Sequence, residues 1–308
     1  MKKGFVAWII LFCCNLMWAS QFTCIKLVQD QVGPYFTVWG PMLISSLFLA
    51  PFVIKDFKKG KKRLKDILIF LQLAALGAFP SQVLLTWGTQ SSTASNATIL
   101  VLALPVITVV FAYLILKEKM NRLRWISFAV AIIGVILCST GDIHKMNMGS
   151  KYAFGNLLIF LALVGNAYYN VGCKKIADQY TEIEMVFYTY LFMVILLLPF
   201  LLIYERDTFA RIPDFTGKTW IGLACLTFFH NFLSMILFFK VLKYLDATQV
   251  ALSNYLITFL GLPIAAIFLH EKLNTQMIFG GLLVLVSTLI LTIVDHRTNI
   301  KNAPQINL

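Results

Sequence analysis

The sequence predicts an all-α integral membrane protein of ten transmembrane helices, arranged as two inverted five-helix repeats with both termini cytoplasmic. Three observations lead there: the composition, the spacing of charge-free intervals, and a loop motif that occurs twice. Of 308 residues, 59% are hydrophobic and 13% are charged, and the mean hydropathy is +0.80. A soluble domain carries about 25% charged residues to wet its surface. Charge at half that level excludes a soluble enzyme, a disordered chain and a small disulfide scaffold.

The spans follow in chain order. A hydrocarbon core about 30 Å thick needs about 17–25 uncharged helical residues to cross it. Intervals free of Asp, Glu, Lys and Arg run over 4–25, 31–54, 67–116, 125–141, 152–173, 185–204, 219–239, 247–270 and 273–294. The interval 67–116 is too long for one span. The polar stretch Thr86–Asn96 divides it into two, joined by a tight hairpin. The short interval 125–141 spans if Arg122 and Arg124 extend outward from its end. The first twenty residues also have the Lys2-Lys3 start of a secretory signal. Bulky Met17 and Trp18 crowd the place where cleavage needs small residues, so the segment reads as the first helix.

Basic loops stay cytoplasmic. Before Asp142 every Lys and Arg except Lys26 falls on the N-terminal side of the predicted membrane, and after it the two sides balance. The net charge of +12 raises nucleic acid as a partner. The basic cluster between Lys55 and Lys65 lies between two spans, where topology and anionic lipid headgroups account for it. No nucleic acid is expected. Cys13, Cys14, Cys24, Cys138, Cys173 and Cys225 fall in or at the ends of apolar runs without metal-ligand spacing. They read as small buried thiols, and no metal or cofactor is expected.

Leu116-Lys-Glu-Lys-Met-Asn121 follows the fourth span and Leu269-His-Glu-Lys-Leu-Asn274 follows the ninth. Upstream at the same offset, Ala94-Ser-Asn matches Ala247-Thr-Gln in polarity. Ala19 and Lys26 of the first span align more weakly with Ala167 and Lys174 of the sixth. The repeats are therefore 1–141 and 152–294, with a cytoplasmic tail at 295–308. Five is odd, so the second copy enters the membrane inverted. Such repeats place a solute site near the midplane and permit alternating access.

Ten spans in five-plus-five form with a Leu-x-Glu-Lys-x-Asn loop after spans four and nine resemble the EamA branch of the drug/metabolite transporter superfamily. The resemblance covers about Gly4 to Val294 and includes Trp18 and Lys26 on the first helix. It implies a bacterial inner-membrane carrier that exports or imports amino acids and other metabolites. It also implies a cavity lined by helices 1, 3, 4, 6, 8 and 9. The sequence departs from exact repetition at Asn166, where Trp18 would recur. The membrane prolines differ too: Pro105 aligns with Thr258, and Pro263 with Val110.

Polar side chains inside spans face a cavity or a neighbouring helix. Asn166, Tyr169, Asn170 and Cys173 share one face of helix 6 at i, i+3, i+4, i+7 spacing. Thr227, His230, Asn231 and Ser234 do so on helix 8. Helix 1 offers Asn15, Trp18 and Gln21, and helix 3 offers Ser81 and Gln82. Helices 4 and 9 open with Asn96 and Gln249, the latter followed by Ser253 and Asn254. The expected substrate-binding residues are Trp18, Gln21, Gln82, Asn96, Asn166, Tyr169, Asn170, His230, Asn231, Gln249 and Asn254. Each alone reads equally as interhelical glue worth about 0.6 kcal/mol; the two polar faces together favour a lined cavity. Trp39, Tyr168 and Tyr255 also offer rings to a solute, while Trp87 at a span end reads as an interface anchor.

No Asp or Glu lies within any span. The expected cargo is a small neutral or zwitterionic organic metabolite, amino-acid-like, moved by a secondary carrier in the export direction. Uptake or exchange is the alternative direction, with a proton or counter-solute as coupling partner. Lys26, Lys174 and Lys175 at span ends read as anchors or as contacts for a carboxylate. His230 is the only histidine near a span centre, read either as a protonatable group or as a neutral histidine bonded to its neighbours. Glu118 and Glu271 are expected to neutralise Lys119 and Lys272 or to cap the following helix. An integral-membrane enzyme is the less favoured reading, because His144, His230, His270 and His296 are far apart and none pairs with an in-span carboxylate. No catalytic residue is expected. The location expected is the bacterial cytoplasmic membrane, with lipids as surroundings; the sequence leaves monomer or dimer open.

Overall fold

The computed structural model describes residues 2–57, 64–117, 152–242 and 253–271, with short stretches at 122, 125–126, 129–130, 133–134, 137, 275, 278–283 and 285–286. Among the described residues all regular structure is helical, and seven helices are long and apolar enough to cross a membrane. The predicted spans 125–141 and 273–294 fall in large part outside the described residues, as do Gln249, Glu118 and the Lys119–Asn121 part of the loop motif.

Helix α1 is Lys2–Val28 and α2 is Pro34–Phe57. Helix α3 joins Leu64–Leu73, a π-helical turn Ala74–Ala78 and Phe79–Ser91. Pro80 cannot donate to the carbonyl one turn back, and a widened turn just before it accommodates the missing bond. Helix α4 joins Ala94–Leu100, a 3₁₀ turn Val101–Ala103 and Leu104–Leu116. The hairpin from α3 to α4 is tighter than the polar stretch Thr86–Asn96 suggests, because helix persists to Ser91 and resumes at Ala94. Helix α5 is Ala153–Ile176 and α6 is Glu182–Tyr204. Helix α7 joins Gly217–Cys225, a π-helical stretch Leu226–Leu233 and Ser234–Leu242, and α8 is Tyr255–Leu269.

Helix α1 lies between α7 and α8, while α3 packs on α5 and α2 on α6. Helices α1, α2, α3, α5, α6 and α7 enclose one apolar core, and α1, α3, α4, α5 and α8 enclose a second. Trp18 packs against both. The α3–α5 seam is closest where two glycines meet. A Cβ on Gly88 would lie 2.6 Å from the Gly155 carbonyl oxygen, and one on Gly155 would lie 2.7 Å from that of Gly88. Lipid supplies no hydrophobic drive between helices, so such close backbone approach is a main source of their association. Gly88→Ala is expected to cost about 1–3 kcal/mol through overpacking that backbone cannot relieve. Thermal unfolding in detergent measures it, and an unchanged melting temperature would show that the seam yields.

Span ends carry most of the polar structure. Thr181 and Glu184 form a reciprocal capping box at the start of α6. Two helices instead borrow a carboxylate from the other half of the chain. Glu205 accepts the backbone N–H of Tyr35 (3.0 Å) and of Phe36 (2.8 Å) at the start of α2. Glu271 accepts that of Ala94 (3.0 Å) and Ser95 (2.8 Å) at the start of α4. Both oxygens of Glu271 thus serve α4, while Lys272 and the start of its own following helix lie outside the described residues. Lys117 and His270 end α4 and α8 in the left-handed region, with φ of 57° and 55°. These are equivalent positions of the two loop motifs.

Candidate functional site

A cavity of about 90 Å³ lies between the two cores. Of the eleven residues expected to bind substrate, Trp18, Gln21, Gln82, Asn166, Tyr169, Asn170, His230, Asn231 and Asn254 line it. Asn96 does not; its amide donates to Ser92 Oγ (3.0 Å), which donates to Asn156 Oδ1 (2.5 Å), so it ties the α3–α4 hairpin to α5. Gln249 lies outside the described residues. Helix α6 adds Thr189 and Tyr190, and α2 adds Met42.

The local sequence aims these groups. On α5, the Asn166 and Asn170 side chains, one turn apart, bond to each other at 2.6 Å. Tyr169 on the same face donates to Thr189 Oγ1 (3.0 Å) and is fixed against α6. Trp18 donates its indole N–H to Ser234 Oγ (3.0 Å) and meets Phe238 edge to face at 5.2 Å. Its ring is thus a fixed wall held between halves of the chain. Ser234 in turn donates to the His230 carbonyl oxygen. The π-helical stretch of α7 presents His230 and Asn231 to the cavity, a type of irregularity often found at functional sites. Asn231 secures it by donating Nδ2–H to the Leu226 carbonyl oxygen at 2.8 Å. Tyr190 closes the other side, donating to the Asn231 carbonyl oxygen at 2.8 Å.

Among the described residues no Asp, Glu, Lys or Arg lines the cavity. His230 Nδ1 and Asn254 Oδ1 are buried without a hydrogen-bond partner, and buried polar atoms are costly when left unpaired. A narrow side chamber of about 10 Å³, large enough for about one water, continues past Gln21, Gln82, His230 and Asn231 to Thr37 and Thr86, walled by Ile25 and Leu226. The arrangement suits a small solute with hydrogen-bonding ends and an apolar or aromatic surface. Among the described residues it offers no nucleophile paired with a base, and no cluster of His, Cys, Asp or Glu there could hold a metal.

Other predicted groups sit at the edges. Lys174 donates to the Leu242 carbonyl oxygen (2.7 Å), and Lys26 to the Gln90 carbonyl oxygen (3.1 Å). Trp39 donates to the Val194 carbonyl oxygen on α6, and Trp87 packs against Phe154. Burial pushes the Glu205 carboxyl above its ordinary value, against the opposing pull of the Phe36 and Tyr35 N–H groups and the Arg211 charge. A carboxyl raised by folding holds its proton more readily folded than unfolded, so stability falls as pH climbs from the ordinary value through the folded one. Melting temperature measured across that window should decline towards neutral pH, and this part of the decline should vanish in Glu205→Gln.

Comparison with known proteins gives a family, three relatives and a solved structure. The model of the EamA-like transporter family matches residues 6–140 and 153–293. The "Probable terminal-alkyne amino-acid exporter" of Streptantibioticus cattleyicolor is 25% identical, covering 92% of each chain. The "S-adenosylmethionine uptake transporter" of Rickettsia prowazekii is 25% identical over 89% of this chain and 87% of that one. The "Uncharacterized transporter YetK" of Bacillus subtilis is 23% identical over 87% and 79%. A chain of known crystal structure shares the fold at a TM-score of 0.64, 14% identity, and coverage of 95% of this chain and 98% of that one.

Proposed function

The chain belongs to the EamA-like transporter family and is a multi-pass membrane transporter; from that premise we propose that it is a secondary carrier exporting a small neutral or zwitterionic, amino-acid-like metabolite. It works by alternating access about the cavity, in a bacterial cytoplasmic membrane. Ten helices form inverted repeats at 1–141 and 152–294, both termini are cytoplasmic, and 295–308 is a cytoplasmic tail. The left-handed helix ends at Lys117 and His270 support the repeat, since the two copies stop the same way at matched positions. The substrate contacts are Trp18, Gln21, Gln82, Asn166, Tyr169, Asn170, His230, Asn231 and Asn254.

The observation that carries the substrate class is the uncharged polar and aromatic lining. A phosphate ester would need Arg or Lys inside a low-dielectric cavity, and among the described residues none lines it. A zwitterion brings its own compensating charge. The export direction is supported by the relative named as an amino-acid exporter. Uptake is the second reading, favoured by relatives named as S-adenosylmethionine uptake transporters.

The test compares intracellular and extracellular metabolites in cells overexpressing the protein or its Trp18→Arg variant at matched surface expression. A guanidinium at that wall obstructs the cavity and faces no carboxylate among the described residues. Export predicts a small neutral or zwitterionic solute outside only the wild-type cells. Enrichment inside reverses the direction. Identical profiles at equal expression refute the carrier reading for the solutes surveyed.

A further inference from the structure

Cys24 on α1 and Cys225 on α7 stand against each other, and the cavity uses neither. Cys24 packs with Ile25 and Leu226 in a small apolar cluster, and Cys225 packs against that cluster. The helices approach closely here because Gly222, one turn before Cys225, has no side chain. A Cβ at Gly222 would lie 3.1 Å from the Cys24 carbonyl oxygen and 3.4 Å from Leu27 Cβ. A disulfide needs Cα atoms about 4.4–6.8 Å apart, and this close helix approach is what would let the two side chains meet. Both sulfurs are unbridged; Cys24 is buried and Cys225 half-buried.

We propose that Cys24 and Cys225 are an oxidation site, at which a peroxide closes a disulfide that ties α1 to α7. Hydrogen peroxide is small and uncharged and can reach a thiol near the end of a span. It oxidises the more accessible Cys225 to a sulfenic acid and is itself reduced to one water. The Cys24 sulfur then attacks that sulfur. The S–S bond forms as the S–O bond breaks, and a second water leaves with the Cys24 proton. The bridge lies directly behind the chamber wall, because Ile25 and Leu226, the chain neighbours of the two cysteines, line the side chamber. Helix α1 belongs to the first repeat and α7 to the second, so the bridge fixes the two repeats to each other where the chamber narrows. That consequence for transport rests on the carrier reading above; the chemistry of the bridge does not.

The experiment treats the purified full-length protein in lipid nanodiscs with hydrogen peroxide, alkylates the remaining thiols and digests. Expected is a linked peptide pair containing Cys24 and Cys225, lighter by two hydrogens than the free peptides, formed before any change at Cys14 or Cys173. Dithiothreitol should restore both thiols, and Cys24→Ser or Cys225→Ser should abolish the linked pair. Amide exchange over Leu226–Leu233 should slow by about fivefold on oxidation, as local opening is suppressed. Persistence of both thiols, or conversion of Cys225 to a sulfinic acid beside a free Cys24, overturns the site. A linked pair without slower exchange overturns the lock. In liposomes, an absence of flux before oxidation counts against the carrier reading, while the linked peptide still decides the oxidation site.

Discussion

Glu271→Ala is expected to lower stability by about 2–4 kcal/mol, the loss of two charge-assisted hydrogen bonds to buried donors. The first turn of α4 shows why. Its opening N–H groups have no partner one turn back. Those of Ala94 and Ser95 go to the two oxygens of Glu271. That of Asn96 goes to Thr93 Oγ1 (3.0 Å), and that of Ala97 begins the backbone ladder on the Thr93 carbonyl oxygen. No donor is served twice. Ala94 is 0% and Ser95 2% exposed, so water cannot replace the carboxylate. Glu271→Gln keeps one acceptor oxygen and should fall between. Thermal unfolding gives the magnitude, and faster amide exchange at Ala94–Ala97 gives the place. A Glu271→Ala protein within about 0.5 kcal/mol of wild type, the range of an ordinary surface pair, would show that the cap is dispensable.

That cap also marks where sequence reading stops. The seven spans seen among the described residues are legible as charge-free intervals because the bilayer imposes one length on every crossing. The polar face of α5 was legible for a similar reason: α5 is an unbroken α-helix, so regular spacing placed Asn166, Tyr169 and Asn170 together on the cavity. On α7 the same rule worked less well. Its π-helical stretch changes the residues per turn, so His230 and Asn231 reach the cavity while Thr227 bonds back to the Leu223 carbonyl oxygen and Ser234 holds Trp18. Tyr190 carries no such signal, because Tyr188 and Tyr204 share its apolar span and nothing in the spacing separates a cavity tyrosine from an interface anchor. Asn96 was included because an amide that ties helices together has the same chemistry as one that contacts a solute. The partners of Glu205 and Glu271 lie about 170 residues away along the chain, and no local pattern encodes such a pairing.

Asn231→Leu tests whether the widened turn of α7 creates the site. The side chain is 5% exposed and has two tasks. Its Nδ2 satisfies the Leu226 carbonyl oxygen that an i→i+4 ladder would otherwise engage, and its Oδ1 accepts from Tyr190 at 3.2 Å. Leucine keeps the volume and removes both. The carbonyl then loses its side-chain donor and the Tyr190 hydroxyl one of its acceptors, at a cost of about 1–3 kcal/mol. Reversion to regular α-helix is the cheapest repair, and it rotates His230 away from Gln21 and Gln82. The expected result is a loss of about 2–4 kcal/mol in stability together with loss of solute flux beyond the fall in folded protein. Tyr190→Phe is the control. It removes the hydroxyl but leaves the Asn231–Leu226 bond, and should cost about 1 kcal/mol with flux largely kept. If Asn231→Leu retained flux per folded molecule, the turn would be a packing accommodation rather than the element that presents His230, and His230 would lose its place among the substrate contacts.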